Sequence, residues 1–146
     1  MSNLDPVQNF QLSSNGFNFT VRLILNSSNQ LTLSLKNNSN FSRPNIMKHF
    51  KGCGRTYNFF DELIKANHMK ISEIDLSNIS LNTLPEFVFL FVDATRLDLS
   101  HNLLKELNIE KLIKFLPKLK EVNLEDNGIP EKALNHNKRK LKIRWG

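Results

Sequence analysis

A repeat in the second half of the chain narrows its folding options more than any other feature. Three stretches align on the pattern L-x-x-L-x-L-x-x-N-x-L. The first is Ile71, Ile74, Leu76, Ile79 and Leu81; the second is Ala94, Leu97, Leu99, Asn102 and Leu104; the third is Leu119, Val122, Leu124, Asn127 and Ile129. The anchoring leucines Leu76, Leu99 and Leu124 stand 23 and 25 residues apart. Units of this kind occupy about 20–29 residues, so the spacing fits.

The pattern dictates a geometry, that of a leucine-rich repeat. Its first leucines lie on a short strand that stacks in parallel on its neighbours. The asparagine sits where the chain turns, and its side-chain amide can bond the backbone of the adjacent turn. Asn102 and Asn127 can form such a ladder, while Ile79 takes that position in the first unit, as an atypical terminal repeat would. Parallel strands are expected at 73–76, 96–99 and 121–124, with Leu141 and Ile143 adding a truncated fourth. Connecting segments return along the convex side. Leu112, Ile113 and Leu116 have helical spacing and stop at Pro117, and Leu84-Pro85-Glu86-Phe87 opens the equivalent return of the first unit.

A short array has open ends. Each repeat contacts only its neighbours, so the terminal ones need covering. Phe17, Phe19, Val21, Leu23 and Leu25 alternate with mostly polar residues, as do Leu31, Leu33 and Leu35, with Asn26 to Gln30 as the turn between them. That period of two predicts a hairpin. Ile46, Met47 and Phe50 suggest a short helix, and Phe59, Phe60, Leu63 and Ile64 a second one over 57–66. The fold class is therefore α/β: a short leucine-rich-repeat solenoid of parallel strands with convex helices or loops. Residues 1–66 form an N-terminal hairpin-plus-helices cap, and residues 67–146 form the array with a basic C-terminal cap.

The sequence is poor in chemistry. One cysteine, Cys53, allows no internal disulfide, which fits a reducing compartment. Cys53 lies between Lys51 and Arg55 with His49 nearby, but no group is evident to orient that histidine, so a turn cysteine is the reading. The four histidines have no metal-ligand spacing, and no glycine-rich phosphate loop is present. No catalytic residue, metal or cofactor is expected. Met1 to Gln8 lacks an apolar signal region, and the longest apolar run, Phe87 to Val92, is six residues. No membrane contact is expected from so short a run.

The surfaces carry more information. Residues between the leucines point away from the core. These are Glu73, Asp75 and Ser77; Arg96, Asp98 and Ser100; and Glu121, Asn123 and Glu125, with His101 and Asp126 at the edge. This concave face is acidic apart from Arg96 and suits a basic or hydrogen-bonding protein partner, with Asp75, Asp98 and Asn123 as its central column. The chain as a whole carries a formal charge of +6. Its cations lie elsewhere, in Lys48, Lys51 and Arg55, around the returning helix, and in a tail holding Lys138, Arg139, Lys140, Lys142 and Arg144. The first expectation is a non-enzymatic protein-interaction adaptor. The alternative is an RNA-binding module using the basic groups at 48–55 and 132–144.

The order of segments adds a resemblance. VRLILNSSN at Val21 to Asn29 is followed by Ile46-Met47-Lys48 and a second helix, and then by EIDLSNISL and LDLSHNLLKELNIEKLIKFLPKLKEVNLEDNGI. This order resembles the nuclear RNA export factor family, in which an RNA-recognition-like domain precedes a short leucine-rich-repeat domain. The resemblance spans roughly Val21 to Ile129. It implies a role in nuclear RNA export or RNA regulation, and a nuclear or nucleocytoplasmic location.

Overall fold

The computed structural model describes residues 7–14, 17–25, 30–36, 71–130 and 141–144. The helices expected over 46–50 and 57–66 lie outside these residues, as do Lys48, Lys51, Arg55, Lys138, Arg139 and Lys140.

The described strands form one seven-stranded mixed sheet in sequence order. They are β1 (Val7–Ser14), β2 (Phe17–Leu25), β3 (Leu31–Ser34), β4 (Ile71–Asp75), β5 (Arg96–Asp98), β6 (Glu121–Asn123) and β7 (Lys142–Arg144). The pairs β1–β2 and β2–β3 are antiparallel, and every later pair is parallel. The hairpin predicted from the alternating residues is present. Its second strand docks directly beside the first repeat strand, with Leu33 against Ile74 and Ser34 against Asp75.

Register explains why the repeat leucines recur where they do. Leu33, Ile74, Leu97, Val122 and Ile143 are consecutive partners across five strands. The first four are fully or almost fully buried. One pleat further on, Leu35, Leu76, Leu99 and Leu124 make a second buried row. Their amides extend the ladder past the strand ends: Leu35 N–H donates to Asp75 O (2.9 Å), Leu76 to Asp98 O (2.9 Å), Leu99 to Asn123 O (2.8 Å) and Leu124 to Arg144 O (2.6 Å). The three repeat strands thus end one residue earlier than the sequence suggested, although the pairing continues.

The return segments close the other side of the core. Asn108 caps the single described α-helix, α1 (Ile109–Phe115), its side chain accepting from Lys111 N–H at 3.1 Å. Ile109, Leu112 and Leu116 are buried, and the chain leaves the helix before Pro117. The first return holds a five-residue 3-10 helix, Glu86–Leu90, which buries Phe87 and Val88. Among the described residues no helix is long and apolar enough to cross a membrane.

Asn102 and Asn127 occupy the predicted ladder. The Asn102 side chain is buried. Its Oδ1 accepts from the amides of Ile79 and Leu81, both at 3.0 Å, and its Nδ2 donates to the carbonyls of Leu76 (2.9 Å), Leu99 (3.0 Å) and Ser100 (3.2 Å). Asn127 repeats the arrangement one unit on, accepting from Leu104 N–H and donating to Leu99 O at 2.8 Å. A short side chain with both donor and acceptor is required here, because backbone groups of both kinds converge on one point.

Candidate functional site

In a strand, side chains alternate between faces. Since Ile74, Leu97 and Val122 point inward, their neighbours share the outer face. Two columns result. One runs Thr32, Glu73, Arg96, Glu121, Lys142, and the other runs Ser34, Asp75, Asp98, Asn123, Arg144. Glu73, Asp75, Arg96, Asp98, Glu121 and Asn123 therefore stand side by side on one sheet, while Glu125 lies in the turn just beyond β6. On β2, Val21 and Leu23 are buried, so Arg22, registered with Ser34, joins the same face.

The charges are sorted along it. At the C-terminal end, Arg96 holds Glu121 with its guanidinium at 2.9 Å, and Lys142 reaches the other oxygen of Glu121 at 3.5 Å. Arg144 lies 3.5 Å from Glu125. Burial alone would push the Glu121 carboxyl up. The hydrogen bond and charge of Arg96, joined by Lys142, outweigh that and hold it below the ordinary glutamate value. At the other end, no described cation is paired with Glu73, Asp75 or Asp98. Lys142 and Arg144, which the alternative reading groups with the tail cations, thus sit on the outer sheet face with acidic partners.

The central column also has a local task. Asp75 Oδ1 accepts from the Ser77 amide (3.0 Å) and hydroxyl (2.6 Å). Asp98 Oδ1 does the same for Ser100, at 2.9 and 2.6 Å. Asn123 Oδ1 accepts from the Glu125 amide at 3.0 Å. Each closes an Asx-type turn that ends its strand. The recurring D-x-S spelling at 75–77 and 98–100 carried that signal. Only one oxygen of each aspartate is engaged in this way.

Beyond the strands the chain turns through left-handed backbone at Asn78, Ser80, His101 and Asp126, with φ between 54° and 58°. An open groove of about 770 Å³ runs past these turns, and His101 Nδ1 meets Asp126 Oδ2 across it at 2.9 Å. Leu103 stands on its rim, 58% exposed. On the return side a smaller hollow of about 440 Å³ lies among Leu84, Glu86, Phe89, Glu106, Leu107 and Lys111. Neither feature was visible in the sequence, because each is assembled from turns of two successive repeats. Among the described residues no group of three or more His, Cys, Asp or Glu could hold a metal ion.

No family model matches the chain, and neither a curated protein nor a solved structure matches it significantly.

Proposed function

We propose that this chain is a short leucine-rich-repeat solenoid, and that it works as a non-enzymatic protein-interaction adaptor through its outer sheet face. The class rests on the in-register leucine rows and the Asn102–Asn127 ladder. The adaptor role rests on one observation: Glu73 and Asp75 on β4 adjoin Asp98 on β5, while Arg96, Lys142 and Arg144 pair with Glu121 and Glu125. A partner presenting Lys or Arg side chains in an extended segment would find Asp75 and Asp98 about one strand spacing, roughly 4.8 Å, apart, with Glu73 two residues back along β4. A nuclear or nucleocytoplasmic setting, with a role in RNA export or regulation, belongs to this proposal through the sequence resemblance.

The test must remove charge without breaking the turns. Alanine at Asp75 or Asp98 would free the Ser77 or Ser100 amide, whereas asparagine keeps the Oδ1 acceptor, as Asn123 already does. Affinity capture from native extract, with and without ribonuclease, should recover partners with the wild-type chain. It should lose them with the Glu73→Gln, Asp75→Asn, Asp98→Asn triple variant at an unchanged thermal midpoint. Partners retained by that variant would move the interface off this face. Partners lost on ribonuclease treatment alone would assign the chain to RNA instead.

A further inference from the structure

The two borders of the sheet are built differently. β7 is three residues long and carries Lys142 and Arg144. Short length and charge are the usual devices that stop an edge from recruiting another strand. β1 has neither. It runs eight residues, VQNFQLSS, with no charge and no proline, and it stays in unbroken register with β2 from Val7↔Ile24 to Ser14↔Phe17. Among the described residues it has a strand on one side only. A long, regular, neutral edge is a template for strand addition.

The sequence of β1 says which strand fits. A two-fold axis perpendicular to the sheet pairs antiparallel edges so that opposite residues lie on the same face. Placed at Gln11, that axis sets Phe10 against Leu12, Asn9 against Ser13 and Gln8 against Ser14. Apolar meets apolar and polar meets polar on both sides of the centre. Moving the axis to Phe10 sets Gln8 against Leu12 and Val7 against Ser13, which mixes them. With no charge on the strand, neither pairing places like charges opposite. The pattern is self-complementary, as an isologous contact requires.

We propose that β1 is a homodimer edge: two copies of this chain pair antiparallel through β1, with Gln11 on the two-fold axis. The contact uses the border of the sheet and leaves the outer face open, so it stands independently of the adaptor reading.

Crosslinking tests the register. In the full chain with Cys53→Ser, Gln11→Cys places two thiols on the axis. Directly opposed antiparallel residues have Cα atoms about 4.5–5.5 Å apart, within reach of a disulfide. Asn9→Cys puts the two thiols four residues out of step, about 13 Å apart along the strands. Mild oxidation should link the Gln11→Cys chains and leave the Asn9→Cys chains single. In the wild-type chain, sedimentation equilibrium should show the mass rising toward two chains with concentration. Gln11→Lys should weaken that association by up to about fivefold, the upper end for one like-charge pair. Hydrogen exchange supplies a readout that needs no variant. A dimer protects consecutive amides of β1 at high concentration, whereas a bare edge protects alternate ones. Equal crosslinking of both cysteine variants overturns the proposal. So does a single-chain mass throughout, whichever amides of β1 are protected.

Discussion

The Asn102 side chain makes five hydrogen bonds to backbone groups, and its removal offers the sharpest test of how the repeats hold together. Asn102→Ala leaves the amides of Ile79 and Leu81 without their acceptor, and both residues are almost completely buried. An orphaned buried donor costs about 1–3 kcal/mol, so two give about 2–6 kcal/mol. The carbonyls of Leu76, Leu99 and Ser100 lose a donor as well, but a carbonyl deprived of one bond suffers less than an amide. A water entering the vacated space would recover part of the loss, which places the expectation at about 2–4 kcal/mol. Domains of this size are stable by about 5–15 kcal/mol in all, so the change is large. Urea unfolding followed by circular dichroism should show a lower midpoint with an unchanged slope. Asn127→Ala supplies the internal comparison. Its Oδ1 accepts from one amide, that of Leu104, and its side chain is only half-buried. It should cost about half as much. If Asn102→Ala costs less than about 0.5 kcal/mol, or no more than Asn127→Ala, the ladder is not what couples the units.

Two further expectations follow from the core and the outer face. Leu99 is fully buried in the second leucine row; Leu99→Ala should lower stability by about 2–5 kcal/mol in the same assay, and a loss under about 0.5 kcal/mol would remove it from the core. Glu121 has its folded value held below the ordinary one. The stability it contributes is therefore complete above the unfolded glutamate's value and is lost as pH falls through the lowered folded value. Glu121→Gln should flatten the acid limb of a stability–pH curve and leave the neutral region nearly level. An acid limb unchanged by the substitution would show that Arg96 and Lys142 do not favour the ionised form.

The repeat was legible because its determinants are local. Leu97, Leu99 and Asn102 lie within six residues of each other, and the spacing alone places them on a strand and its turn. Asn108 and Pro117 likewise bracket α1 by rules that act over one helical turn. The features that the sequence does not spell out depend on partners far along the chain. β1 carries Val7 on one parity and Phe10 and Leu12 on the other, so it has no clean period of two. It is held as a strand by its register with β2. The repeats alone make the outer face acidic, since nothing in the sequence says that Lys142 and Arg144 will arrive beside Glu121 and Glu125. Alternation alone marks Asp75 and Asp98 as outward-facing groups; their bonds to Ser77 and Ser100 show that the same atoms also finish the strands.

The two return segments differ in a way that bears on how such an array tolerates insertions. The first unit advances by 23 residues and the next by 25, yet the strands on the other side stay in step. The shorter return winds five residues as a 3-10 helix, and the longer winds seven as an α-helix. At rises of about 2.0 and 1.5 Å per residue, both coils measure about 10 Å end to end. The extra pair of residues is taken up as a change of helical pitch, so the two returns are isometric. A lineage could gain or lose two residues at this point and keep every rung of the sheet where it was.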